Sequence, residues 1–359
     1  MSGTSLDGVD LAFASFSLNE NGAWECKPGE SMTVPFSETW RTRLSELSRQ
    51  SAEIFAKTHV DFGHYLGKLT ADFIREFNLH PDFVASHGHT IFHQPNNGFT
   101  TQIGDGETMV SLLEIPLVNN FRNKNLALSG EGAPLVPFGE GQLFPNNQVF
   151  LNLGGISNLG YNALGFDISI CNIALNYLAS QYDSSLNFDP DGKIARSGSL
   201  DEALLDKLND FNYFNSPPPK SLGIEWFLQN QMPVLQSYIN TDLNKIPHAL
   251  HTFSEHISLQ IFQALTVSGS DKKEIFVTGG GAKNLLLMEK LREKGVLLKE
   301  FENPAWIDFK EAIIFAFLGL QVLLGRKNTL ASVTGAKMDA LCGSIHLPAS
   351  GGFPIFKAE

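Results

Sequence analysis

Three times in this 359-residue chain an apolar, strand-like run adjoins a short turn built from glycine with Ser, Thr or Asn. The turns are Ser2-Gly3-Thr4-Ser5-Leu6-Asp7-Gly8, Asn152-Leu153-Gly154-Gly155-Ile156-Ser157-Asn158 and Thr278-Gly279-Gly280-Gly281-Ala282-Lys283-Asn284. Glycine adopts positive φ without strain and lets backbone approach a ligand closely, while N–H and hydroxyl groups at such turns donate to phosphate oxygens. One such loop is often an ordinary hairpin turn; three in one chain point to a nucleotide. None follows G-x-x-x-x-G-K-[ST] or G-x-G-x-x-G, so the P-loop and Rossmann readings fail.

The turns sit in a mixed α/β pattern that is written twice. Residues 9–16 alternate apolar with small or polar side chains, the period-two mark of a half-buried strand. Residues 39–77 place Phe55, Phe62, Leu66, Leu69 and Phe73 at helical spacing, and short strands follow at 83–86 and 117–118. The grammar restarts at 148–151, where strand, glycine turn and strand recur; helices are expected at 172–179, 200–208, 248–267 and 309–324, and a strand at 274–277. The expected division is one domain over 1–133 and a second over 134–359, with the last helix and tail packing back on the first.

Bulk chemistry narrows the partners. The length and 43% apolar composition support two cores. A net charge of -12 argues against nucleic acid and anionic membranes, which need a positive field, and leaves a small-molecule ligand. Cys26, Cys171 and Cys342 are an odd number without Cys-x-x-Cys spacing, so neither a disulfide framework nor a zinc site is expected. With no apolar run near the roughly 18 residues of a membrane span and no signal-like start, a cytoplasmic protein is expected.

The strings MSGTSLDGVD, SHGHTIFH, GEGAPLVP, NLGGISN, GFDISICN, FDPDGKIARSG, PPPKSLG, TGGGAKN, KEAIIFAFLG and SVTGAK, in that order and across essentially the whole chain, resemble the signature segments of anhydro-N-acetylmuramic acid kinases. That resemblance implies two ribonuclease-H-like domains, with mixed sheets flanked by helices and an ATP cleft between them. It also implies a homodimer and a reaction in which ATP, Mg²⁺ and water convert 1,6-anhydro-N-acetylmuramic acid to its 6-phosphate during peptidoglycan recycling. Hydrolysing a glycosidic bond with inversion takes one carboxylate as base and another as acid. If the leaving O6 is captured by the γ-phosphoryl group, only the base is required.

By the same resemblance Asp167 is the water-activating base; by itself, Asp at a strand–helix junction is more often a helix cap. Glu311, Arg122 and His87 would meet the sugar, Arg122 through a bidentate contact with the muramic carboxylate. Read alone, Glu311 is a first-turn helix residue and Arg122 a surface ion-pair partner. Gly3, Thr4, Ser5, Asp7 and Gly8 would meet the triphosphate, Asp7 also through Mg²⁺. Gly154, Gly155 and Ser157 would form a second phosphate loop, and Gly279, Gly280, Gly281 and Asn284 would lie against adenosine. His87, His89 and His93 raise a metal site, but hydrogen bonding to substrate or backbone is the stronger expectation. Residues 187–192 imitate the start of a calcium loop, yet position twelve is Gly198, and a turn is expected.

The chain also departs from the family pattern. Family members carry a strand ahead of the first motif, whereas this sequence begins within it. The expectation is a missing first strand that leaves sheet backbone unpaired. Asn120 and Asn125 stand where the family has Asp, Ser129-Gly130-Glu131 replaces Gly-Gly-Gln, and Ile170 occupies a stretch that often holds Pro. These changes raise two alternatives, a catalytically impaired sensor of nucleotide or muramic sugar and a kinase of another anhydro-sugar.

Overall fold

The chain divides into two units, residues 1–145 with 309–359 and residues 146–308. The computed structural model describes residues 1–3, 6–144, 148–161, 164–218, 220–299, 301 and 303–351, so Thr4 and Ser5 lie outside the described residues. The division falls later than residue 133 because the helix Val136–Leu143 packs on the helix Lys310–Leu323. A Cβ at Gly139 would stand 2.6 Å from Ile314, and Lys310 Nζ donates to Glu140 Oε1 at 2.6 Å with both side chains buried.

In the first unit the period-two run becomes β1 (Gly8–Leu18), which turns back into β2 (Trp24–Pro35) in antiparallel register, Gly8 opposite Pro35 and Leu18 opposite Trp24. Short strands follow: β3 (Val84–Ala85), β4 (His89–Gln94), β5 (Phe99–Ile103) and β6 (Leu117–Asn119). β4 and β5 form a hairpin, while β6 pairs parallel with β3 and antiparallel with the strand Ser344–His346. Ser51 Oγ accepts from Ile54 N–H to cap the helix Ala52–Glu76, whose Phe62, Leu66 and Phe73 are buried. Gly63 and Gly67 on that helix allow close approach of the helix Gly106–Leu113; a Cβ at Gly63 would stand 2.8 Å from the Asp105 carbonyl.

The expected sheet of this unit is split into three small ones. β1 and β3 line a cavity of about 540 Å³, roofed and floored by Leu66, Thr70 and Phe73 of one helix and Ala312, Phe315 and Ala316 of another. At its rim the Met1 amine donates to Asp10 O at 2.7 Å, Asp10 N–H donates to Met1 O at 2.8 Å, and Ser2 bridges to His89.

The second unit is built on one sheet: β7 (Val149–Leu153), β8 (Ile156–Tyr161), β9 (Leu164–Ile170), β10 (Glu274–Thr278) and β11 (Leu297–Lys299). The order is β11-β10-β7-β8-β9, and only β8 runs against the others. Counted by appearance this is 3-2-1-4-5, the ribonuclease-H-like arrangement. The helix Ile246–Val267 buries Ala249, Leu250, Phe253, Ile257 and Ile261 in the core with Leu151, Leu153 and Ile275 of the sheet. The turn expected at 187–192 contains a single tight turn at Pro190–Gly192 and leads into the short helix Lys193–Arg196, where Asp189 accepts from the N–H groups of Ile194 and Ala195 at 2.8 and 2.9 Å. Among the described residues no helix is long and apolar enough to cross a membrane.

Removing one partner of a buried ion pair costs about 3–5 kcal/mol, since the other charge stays desolvated. Glu140→Ala is therefore expected to lower the stability of the first unit by about that amount in urea unfolding. A loss below about 1 kcal/mol would show that the pair is merely peripheral.

Candidate active site

In the second unit two glycine turns meet at the carboxyl ends of parallel strands β7 and β10, the edge at which open α/β sheets bind ligands. Gly154 and Gly155 connect β7 to β8, and their carbonyls accept the N–H groups of Asn172, Cys171 and Ile173 at the start of the helix Asn172–Tyr182. Gly279 follows β10 with φ 82, ψ 165. A Cβ there would stand 2.5 Å from Asn152 Oδ1 and 2.8 Å from the Leu153 carbonyl carbon, and one at Gly281 would stand 2.7 Å from Leu153 Cβ. A Cβ at Gly280 would meet nothing nearer than Asn172 Nδ2 at 3.8 Å, an ordinary van der Waals contact. These glycines are small because the turns pack on each other and present bare backbone outward.

Strand register carries polar side chains across the sheet from these turns. Thr278 is opposite Asn152, Asn152 opposite Asn158, and Asn158 opposite Asp167. Directly paired residues share a face, so the four form one row spanning about 14 Å at about 4.8 Å per strand. A bulge between β8 and β9 inserts Ile168 between Asp167 and Ser169, and Ile168 is buried. Asp167 thus lies within a strand and caps no helix. Its Oδ2 accepts from Leu222 N–H at 2.9 Å. Burial raises its pKa to about 6, against the pull of that hydrogen bond.

Two residues of the second unit read as ligand contacts are engaged within the protein. Ser157 is fully buried, and its hydroxyl meets Ser169 Oγ at 3.0 Å and Ser169 O at 3.1 Å. Asn284 caps the helix Leu285–Glu293, its Oδ1 accepting from Leu287 N–H at 3.1 Å. Conversely, sequence reasoning passed over Asn152, Asn158 and Asn172. Their signal was their place within and just after the glycine strings, visible only as residues that strand pairing could align.

In the first unit His87 and Arg122 are joined. Arg122 Nε donates to His87 Nε2 at 3.0 Å and Arg122 Nη1 to Gly132 O at 2.8 Å, while His87 Nδ1 meets Gly88 O at 3.1 Å. That arrangement is satisfied by neutral imidazole protonated on Nδ1. Burial and the adjacent guanidinium hold the His87 pKa well below its ordinary value. Burial also lowers Arg122 to about 10, and it raises Glu311 although Lys310 and Arg122 oppose that shift. The other two histidines bond elsewhere, His89 to Ser2 Oγ and His93 to Thr100 Oγ1. Asp7 Oδ1 accepts from Gly8 N–H at 2.9 Å, and Gly8 is a glycine because a Cβ would strike the Val34 carbonyl.

The departures at 120–131 are also placed. Asn125 is fully buried, donating to Thr334 Oγ1 and accepting from Gly132 N–H, both at 2.8 Å. Asn120 Nδ2 meets Ser344 Oγ at 3.4 Å.

Comparison with known proteins finds a family model, relatives and solved structures that match. The family model for anhydro-N-acetylmuramic acid kinase matches residues 1–348. An anhydro-N-acetylmuramic acid kinase of Actinobacillus pleuropneumoniae serotype 5b (strain L20) is 35% identical, covering 96% of this chain and 97% of its own. One from Pseudoalteromonas translucida (strain TAC 125) is 29% identical over 94% and 93%. Among solved structures, the activator of the 2-hydroxyisocaproyl-CoA dehydratase from Clostridium difficile with bound ADPNP aligns at TM-score 0.36 and 10% identity, over 83% of this chain and 91% of that one.

A carboxyl whose folded pKa is raised from 3.8 to about 6 destabilises the fold when ionised, and the cost is present above pH 6 and gone below pH 4. Asp167→Asn is therefore expected to stabilise the protein by about 1–3 kcal/mol at pH 7.5, an advantage that fades as pH falls from 6 to 4. Urea unfolding at both ends of that range measures it; equal stability at pH 7.5 would contradict the burial of the charge.

Proposed function

We propose, from the premise that this chain belongs to the anhydro-N-acetylmuramic acid kinase family, that Asp167 is the base which activates water as the 1,6-anhydro bond opens and O6 is phosphorylated. The observation that carries this is a carboxylate with pKa about 6, set in one polar row with the glycine turns of β7 and β10. Such a group is ionised at neutral pH yet basic enough to accept a proton.

The turns fit an adenine nucleotide on two observations. A Cβ at Gly154 or Gly280 would meet only ordinary contacts at 3.5 Å or more, so packing within the turns does not require glycine there, and Thr278 Oγ1 is buried with no partner among the described residues. Bound ATP with Mg²⁺ supplies the phosphoryl group that O6 accepts. Backbone N–H groups of Gly154, Gly280 and Gly281 are assigned to the nucleotide, with Gly279, whose N–H donates to Ile307 O at 3.2 Å, shaping the turn; the family pattern assigns Gly3, Thr4, Ser5, Asp7 and Gly8 to its phosphates, Asp7 also to Mg²⁺. Ser157 and Asn284 act beneath the turns, the one tying β8 to β9 and the other starting a helix. Asp167 takes a proton from water through its carboxylate as the anomeric bond breaks.

Arg122, oriented by its hydrogen bond to His87, is assigned to the lactyl carboxylate, with Glu311 on sugar hydroxyls. The reading as a binding-only sensor drew on Asn120 and Asn125, and their hydrogen bonds within the fold weaken that motive. The same family reading makes the protein a cytoplasmic homodimer.

Coupled ADP release with 1,6-anhydro-N-acetylmuramic acid, Mg²⁺ and ATP is the test. Turnover is expected, with kcat falling as pH drops through about 6 and a loss of about 100- to 10,000-fold in Asp167→Asn. Absence of ADP release, or full turnover by Asp167→Asn, would refute the assignment. Arg122→Lys is expected to raise KM for the muramic sugar about 10-fold or more through loss of the planar two-point contact. With levoglucosan, which lacks the carboxylate, the same substitution should change KM little; an equal effect on both sugars removes Arg122 from carboxylate recognition.

A further inference from the structure

We infer that Tyr213 and Lys220 form a clasp that positions Asp167, a role that neither the sequence motifs nor the relatives' names assign. The inference rests on the reading of Asp167 as the base. Among the described residues β9 is the last strand of its sheet, so the backbone on its outer side has no strand there to pair with. Three contacts from residues 213–222 take that edge at Asp167 alone. Tyr213 Oη donates to Asp167 O at 2.7 Å, Asp167 N–H donates to Lys220 O at 3.1 Å, and Leu222 N–H donates to Asp167 Oδ2 at 2.9 Å. Backbone donor, backbone acceptor and one carboxylate oxygen of a single residue are all held by one segment.

Lys220 closes that segment on itself. Its Nζ donates to Tyr213 O at 3.1 Å and Phe214 O at 3.5 Å, carbonyls of the short helix Asn212–Asn215, and lies 4.7 Å from the centre of the Tyr213 ring. The ring is backed by Trp226 at 5.6 Å and Phe214 at 5.8 Å. A half-buried ammonium spent on two carbonyls is costly for a lysine with no carboxylate partner among the described residues, and burial lowers its pKa. The return is geometric. With Oδ2 held by Leu222, the described residues offer no donor to Oδ1, which is left as the oxygen that receives a proton. The clasp also keeps solvent from the carboxylate, and burial is what raises its basicity.

Lys220→Met keeps the aliphatic stem and removes the donors. The expected result is a fall in kcat of about 10- to 100-fold with KM for ATP changed less than about twofold, because orientation of the base is lost and nucleotide binding is not. The acid limb of kcat is expected to move from about 6 toward the ordinary carboxylate value of about 4 as water reaches Asp167. Lys220→Arg, which restores donors, should recover most of kcat. Tyr213→Phe deletes one hydrogen bond and should lower kcat about 3- to 10-fold; it decides the matter if Lys220→Met does not fold. If both variants melt earlier yet keep wild-type kcat and acid limb, the clasp is structural and the inference is overturned. Asp167→Asn run in parallel separates the failures: retained turnover there removes the base reading itself, whereas an inactive Asp167→Asn beside a normal Lys220→Met overturns the clasp alone.

Discussion

The register of β7 against β8, β9 and β10 is the constraint on which the chemistry of the second unit depends. Side chains alternate faces along a strand, so a slip of one residue in β8 would send Asn158 to the opposite face and break the row between Asn152 and Asp167. Burial makes such a slip expensive: Leu151, Leu153, Leu159 and Phe166 are all enclosed in the same core. Apolar packing on one side of the sheet thereby aligns polar groups on the other. The bulge at Ile168 completes the arrangement, since it lets Asp167 keep its place while Ile168, Ser169 and Ile170 stay buried.

Charges in this molecule fall into two kinds. Lys310 and Glu140 are buried against each other and hold two helices of the first unit at a fixed distance. Asp167, Glu311 and Arg122 are instead shifted by burial away from their charged forms, and each is only partly compensated by neighbours. A fold selected for stability alone has little use for the second kind. Their presence on both units, beside glycine turns in one and beside a hydrogen-bonded histidine in the other, is what makes these places candidate sites.

Legibility in the sequence followed interaction range. The helices Ala52–Glu76 and Ile246–Val267 and the strand β1 were foreseen because their apolar periodicity is local. β2 was not assigned: its alternation of Trp24, Cys26, Met32 and Val34 with polar residues is interrupted by Pro28, Gly29 and Glu30, so its pairing with β1 is what makes it one strand. Ser157 and Asn284 looked like ligand contacts because Ser and Asn in a glycine string fit that chemistry, yet one hydroxyl satisfies a buried partner and one amide starts a helix. The Tyr213–Lys220 clasp had no signal, since its residues lie roughly 50 positions from the aspartate they hold.

By itself the sequence determined the family, the mixed α/β class and the three glycine strings, because all of these are carried by residue type and short spacing. Tertiary structure alone decided which side chains share a row, which oxygen of Asp167 is held, and how far each charge is removed from water. Those properties depend on strand register and on burial, and both arise only when segments distant along the chain are packed against one another.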